Sequence, residues 1–115
     1  MSRVYLKCVP YDKGMVTLGL EAGVDGVVVP RADVAATSQL SRCEVLAAED
    51  LERLALDSKA EEEEAVREMK AGKKVVIAEG WEIIPIENLL AQSDNVQVEA
   101  GSAERAKLAS GILEK

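Results

Sequence analysis

Short apolar runs along this chain alternate with longer stretches in which apolar residues recur every three or four positions. The runs predict strands at Arg3–Val9, Val24–Val29, Arg42–Ala47, Lys73–Ala78 and Asn95–Glu99. The stretches between them predict helices at Met15–Ala22, Ala32–Leu40, Ser58 to about Lys70, a short one around Pro85, and Ala103–Glu114. Leu51, Leu54 and Leu56 fit either a short strand or a helical turn, and a strand is the preferred reading.

The punctuation agrees with this division. Asp12 can cap the first helix, and Gly23 follows its end. Met15, Leu18 and Ala22 form its expected inner stripe, with Val16 and Leu20 beside it. Ser58-Lys59-Ala60-Glu61 reads as a capping box. The acidic start that follows, Glu61 to Glu64, suits the positive end of a helix dipole, so a solvated face explains it better than a metal site. Ala65, Val66 and Met69 give that helix its buried stripe, and Ala106, Ala109 and Leu113 give the last one its own.

Strand–helix–strand order requires crossovers, so the strands should run parallel. The expected fold is α/β, with alternating βα units and a parallel sheet of about five or six strands flanked by helices. Either an open sheet or an incomplete barrel fits. Residues 1–115 read as a single domain, because turns are short and no linker interrupts them. Leu18-Gly19-Leu20-Glu21-Ala22-Gly23 leads into a strand, and Ser110-Gly111-Ile112-Leu113-Glu114-Lys115 resembles the same helix end without one. That pattern fits a chain cut between a helix and its next strand, and a natural end at a helix fits it too.

Composition narrows the chemistry. Apolar residues make up 48% of the chain, enough for a core, yet Phe is absent, so that core must be Val, Leu, Ile and Ala. A net charge of −7 argues against nucleic acid and anionic membrane as partners. There is no His, which removes Ser-His and Cys-His catalysis and His-based metal sites from this chain. A metal would need oxygen ligands, favouring Mg or Mn over Zn. Cys8 and Cys43 form no CxxC and lie in apolar runs, so buried free thiols and a reducing cytoplasm are expected.

One stretch concentrates the candidate chemistry: Glu79-Gly80-Trp81-Glu82-Ile83-Ile84-Pro85-Ile86-Glu87-Asn88-Leu89-Leu90. It follows the apolar run Val75-Val76-Ile77-Ala78 and holds the only Trp. Pro85 suits the first turn of a helix. Polar groups thus fall at the carboxyl end of a strand, where α/β proteins bind ligands. Solvated acids and a Trp plug in the core are the plainer alternative.

These residues resemble a known family. Val16-Thr17-Leu18-Gly19-Leu20-Glu21-Ala22-Gly23-Val24-Asp25-Gly26, followed by Val27-Val28-Val29-Pro30, is similar to the N-terminal region of 3-dehydroquinate synthase II. Gly80 to Ala91 resembles that family's signature, a tryptophan-x-Ile-Ile-Pro-x-Glu-Asn-Leu run. The likeness spans roughly residues 10–115.

The resemblance implies an activity. The family oxidatively deaminates 2-amino-3,7-dideoxy-D-threo-hept-6-ulosonate with NAD, and the product cyclises to 3-dehydroquinate, a precursor of aromatic amino acids. A related branch makes aminohydroxybenzoate and implies a divalent metal such as Mn or Mg. No G-x-G-x-x-G marks a dinucleotide site in this chain. For such a substrate Glu79 is the first choice of base, with Glu87 as a second catalytic candidate. Lys13 and Arg31 can hold the carboxylate, and Trp81 and Asn88 join them as substrate-binding candidates. Glu87 and Asn88 fit orientation of substrate or metal and helix packing equally well. Schiff-base roles for Lys7 or Lys13 are disfavoured, since removing hydride from an amine requires none. Expected partners are the small-molecule substrate and either the remainder of the enzyme or a second copy. The alternative reading is a non-catalytic binding or assembly module, inactive alone.

Overall fold

The computed structural model describes residues 2–40, 42–73 and 75–114. Lys74 of the expected Lys73–Ala78 strand and Lys115 at the end of the Ser110–Lys115 stretch lie outside the described residues. The elements follow in the order β1 (Arg3–Lys7), α1 (Lys13–Glu21), β2 (Gly26–Val29), α2 (Val34–Leu40), β3 (Glu44–Ala47), β4 (Glu52–Leu54), α3 (Lys59–Lys70), β5 (Val75–Ile77), α4 (Ile83–Leu90), β6 (Gln97–Ala100) and α5 (Ala103–Leu113). Short 3-10 turns, Arg31–Asp33 and Ala48–Asp50, precede α2 and link β3 to β4.

Local chemistry sets the helix ends. The Met15 amide donates to Asp12 Oδ1 at 3.2 Å, which starts α1. The Glu61 amide donates to Ser58 Oγ at 3.2 Å, while Glu61 Oε1 reaches back to accept from the Asp57 amide at 2.8 Å. The capping box therefore closes one residue further out than its usual form. Ser102 caps α5 in the same way, accepting from the Arg105 amide at 3.2 Å. Within the ambiguous segment at 51–56, Glu52–Leu54 form a strand, β4, paired in parallel with β5.

All described pairings are parallel, and the six strands stand in the order β3-β2-β1-β6-β5-β4. That is the sequential order of a barrel, opened between β3 and β4. The two edge strands are joined by only the short turn at 48–51. Five residue steps reach at most about 18 Å. Six strands laid flat would separate the edges by about 24 Å. The sheet must curl to bring its edges within reach, and it is a curled open sheet.

The helices all pack on one side of it. Val4, Leu6, Val27, Val29, Val75, Ile77 and Val98 from the strands meet Val16, Val66, Met69, Ile86, Leu89, Ala106, Ala109 and Ile112 from the helices in one core. The opposite, inner face carries a smaller cluster of Tyr5, Val28 and Val76, with Leu46 and Leu51 against it.

One expected stripe is corrected. Leu18 points outward and is 56% exposed, while Val16 and Gly19 are the buried residues of α1. A Cβ on Gly19 would lie 2.4 Å from Leu6 Cδ2. The helix therefore sits on β1 through its glycine, and this close approach turns Leu18 away. In α5 the third buried position is Ile112, with Leu113 only partly buried beside it. Cys8 is buried and Cys43 half-buried, both as free thiols. Burial pushes the Cys8 thiol pKa up. Among the described residues no helix is long and apolar enough to cross a membrane.

Candidate functional site

Alternation along β1 puts Tyr5 and Lys7 on the inner face, on the opposite side from Val4 and Leu6. Lys7 lies in register beside Val28 of β2. Its ammonium emerges at the carboxyl end of the strand and meets Glu79, with Nζ 3.1 Å from Oε1. Glu79 follows β5, and Gly80 behind it has φ 94°, a left-handed conformation that glycine adopts freely. Gly101 after β6 completes the contact. A Cβ there would fall 2.2 Å from Glu79 Oε2, so glycine leaves the space the carboxylate occupies.

Lys7, Tyr11, Asp12, Met15, Glu79 and Gly101 line a cleft of about 420 Å³. It opens at the ends of β1, β5 and β6, the side where parallel α/β sheets bind ligands. A second hollow of about 280 Å³, lined by Arg3, Tyr5, Glu44, Lys73 and Gln97 among others, lies at the opposite, amino ends of the strands.

Beneath the mouth runs a polar layer. The Glu99 side chain is fully buried, and both Arg53 Nε (3.0 Å) and Nη2 (2.7 Å) donate to its Oε2. Its other oxygen accepts from the Glu79 amide at 3.4 Å. The backbone of Glu99 accepts the Trp81 indole N–H at 2.8 Å. Glu99 therefore ties β4, β6 and the loop carrying Glu79 together. Lower on the inner face, the Tyr5 hydroxyl donates to Glu44 Oε1 at 2.8 Å, and Arg3 pairs with the same oxygen at 2.9 Å. Burial first, and the Glu44 bond second, push the Tyr5 pKa well above its ordinary value.

The sequence candidates divide into those the cleft gathers and those it does not. Glu79 lines it, and Lys13 opens α1 beside it, between Asp12 and Met15, with its side chain exposed. Arg31 follows β2 and pairs with Asp50, and its amide donates to Glu49 Oε1 at 3.0 Å. Trp81 is only 3% exposed and belongs to the helix-side core. Arg105 stacks over its ring at 4.0 Å and donates to its carbonyl oxygen. Glu87 and Asn88 face out of α4, where Asn88 Nδ2 donates to Glu62 Oε1 of α3 at 3.1 Å.

Sequence reasoning did not foresee the Arg53–Glu99 pair or the Lys7–Glu79 contact. Alternation was the available signal. Lys7 shares the parity of Tyr5, Glu99 stands opposite in parity to buried Val98 and Ala100, and Arg53 sits mid-strand, but pairing residues 46 apart needs the strand order.

The helix entry at the cleft does not fit the pyrophosphate of a dinucleotide. Gly101, the glycine that opens the turn into α5 at the cleft, has its Cβ space filled by the Glu79 carboxylate, which would oppose a pyrophosphate. Among the described residues no group of three or more His, Cys, Asp or Glu side chains is placed to hold a metal ion.

Known proteins supply the context for this geometry. The family model for the 3-dehydroquinate synthase II N-terminal domain matches residues 1–115. The chain belongs to that family. Similar relatives include a 3-dehydroquinate synthase homolog of Persephonella marina, 36% identical over 100% of this chain and 37% of its own length. A 3-dehydroquinate synthase of Methanosphaerula palustris is 37% identical over 97% of the chain and 35% of its own length. One from Methanoculleus marisnigri is 32% identical over 92% and 34%. This 3-dehydroquinate synthase II domain thus spans about a third of the length of the curated relatives it matches. No solved structure matches it significantly.

Proposed function

We propose that this domain forms the substrate side of an enzyme that makes 3-dehydroquinate by NAD-dependent oxidative deamination and cyclisation of 2-amino-3,7-dideoxy-D-threo-hept-6-ulosonate. Family membership supports the activity. The observation that carries the site assignment is the Lys7–Glu79 pair in a cleft at the strand ends. NAD would supply the hydride acceptor. The residues in the cleft do not cradle it.

The chain's own groups have separate tasks in this reading. Lys13, free to swing from the first turn of α1, neutralises the substrate carboxylate. Glu79 takes the proton that leaves the amine-bearing centre. Lys7 pairs with the Glu79 carboxylate, Gly101 leaves it room, and Glu99 accepts from the Glu79 amide. Arg53 keeps Glu99 compensated, so that buried acid does not compete for substrate cations.

The test is a turnover assay of the full-length protein with the amino-heptulosonate and NAD, following NADH and 3-dehydroquinate. Formation of both supports the reading. Absence of both, with Mn and Mg each supplied, rules it out.

A second reading, an assembly module, is favoured by one observation. Leu18 (56% exposed), Leu108 (38%) and Ile84 (68%) stand on α1, α5 and α4, and α5 packs against both neighbours. Monomeric behaviour of the domain in gel filtration, unchanged by Ile84→Glu, would count against that reading.

A further inference from the structure

We infer that Lys7 is a covalent catalyst of the ring closure, forming an imine with the substrate ketone. The inference rests on the reading of the cleft as the substrate site, and it assigns Lys7 a role beyond holding Glu79: hydride removal needs no imine, but the ring closure that follows it does benefit from one.

The chemistry sets the need. Deamination leaves a chain with two ketones, one beside the carboxylate and one beside a terminal methyl group. Ring closure joins the methyl carbon to the distant carbonyl. A methyl next to a ketone gives up a proton reluctantly, whereas a methyl next to an iminium does so readily. An amine that condenses with the nearer ketone therefore activates the carbon that must attack.

The structure places such an amine. Lys7 projects from a strand, which holds it more rigidly than a loop would. Its side chain is 24% exposed and stands beside Val28, so its stem is sheltered and its head is at the cleft. The other candidate cations are differently placed: Arg53 is committed to Glu99, Arg105 to Trp81 and Arg31 to Asp50. Lys13 starts an exposed helix turn. A carboxylate that can exchange protons lies 3.1 Å from the Lys7 nitrogen.

The step balances. Glu79 takes a proton from the Lys7 ammonium, and the neutral amine adds to the ketone carbon. Glu79 returns the proton to the departing hydroxyl, which leaves as water, and an iminium remains. The Glu79 carboxylate then removes a methyl proton to give an enamine. The enamine carbon bonds to the distant carbonyl carbon, whose oxygen takes the proton from Glu79. Water hydrolyses the iminium, restoring the ketone and the Lys7 ammonium. One water is released and one consumed, and no oxidant is used.

The experiment is reductive trapping on the full-length protein. The amino-heptulosonate is added without NAD, then sodium cyanoborohydride, and the adduct is mapped by peptide mass spectrometry. The expected result is a mass gain of the substrate less one oxygen, located on Lys7 and absent from Lys7→Arg. With NAD present, Lys7→Arg should release diketone in place of ring, so that 3-dehydroquinate formed per NADH falls on the order of 100-fold. That ratio is independent of how much the variant slows overall. NADH formation with no trapped adduct, an adduct on another lysine alone, or an unchanged ratio in Lys7→Arg overturns the inference while leaving the proposed activity standing. Loss of both NADH and adduct in the wild-type protein overturns both.

Discussion

The two faces of the curled sheet are built from the same strands but by opposite rules. On the helix side, Val4, Leu6, Val27, Val29, Ile77 and Val98 meet apolar residues that are mostly aliphatic, with Trp81 and Met69 the largest buried exceptions. On the inner side, Tyr5, Val28 and Val76 share the space with Glu99, Arg53, Glu44 and Lys7. The first face secures the fold through burial of apolar surface. The second gives up some of that stabilisation to hold charged groups in fixed positions, which is what a reacting site requires. The cleft opens where the inner face meets the strand ends.

The largest effect should come from the helix side. Trp81→Ala removes a 3%-exposed ring and the hydrogen bond to Glu99. It should cost about 3–5 kcal/mol in urea denaturation, as large-to-small core changes do. A loss below about 1 kcal/mol would mean that Trp81 is not the plug described.

Next comes the buried pair. Arg53→Met strips Glu99 of both guanidinium bonds and leaves a buried acid uncompensated. The expected loss is about 3 kcal/mol, the low end for broken buried pairs because Arg53 is 30% exposed. Arg53→Met with Glu99→Leu should recover much of it. Failure of the double variant to recover would show that the pair does more than compensate itself.

The inner face also predicts alkaline sensitivity. Tyr5 holds its proton more tightly folded than unfolded, because of burial and the Glu44 bond. Below about pH 10 both states keep the proton and the stabilisation is complete. Above that the unfolded chain loses it first, so stability declines as pH rises. Tyr5→Phe should remove this part of the decline in denaturation midpoints measured between about pH 9 and 11. Cys8, also raised by burial, adds a slope of the same sign that the Phe variant should retain.

How much of this was legible in the sequence differs by element. The strands were, because Val-rich runs between glycine and proline mark buried parallel strands, and even the ambiguous Leu51–Leu56 segment holds a strand, Glu52–Leu54. The curl was not, because it follows from strand order. Leu18 was misplaced because a helix wheel scores leucine above glycine, whereas Gly19 is what lets α1 approach Leu6. The site was half legible. The Glu79–Leu90 stretch reads as one unit in sequence, yet its beginning reaches the cleft while Glu87 and Asn88 lie on an outer helix face. Helical spacing explains the split, since Ile86 and Leu89 are the buried pair of α4 and the residues between them turn outward.

The smallest expected effect tests that split. Asn88→Ala loses one exposed hydrogen bond to Glu62 and should change stability by less than about 0.5 kcal/mol. Turnover of the full-length protein should stay within about twofold, as for other surface changes. A severe loss of turnover in a stable Asn88→Ala protein would move the site to the α3–α4 face.

The most direct measurement compares two isosteric changes in the full-length protein, Glu79→Gln and Glu87→Gln, by kcat for 3-dehydroquinate formation. The account predicts a loss of about 100-fold or more for Glu79→Gln, the scale of a removed general base, with nearly normal turnover for Glu87→Gln. Nearly normal turnover in Glu79→Gln together with collapse in Glu87→Gln would contradict it.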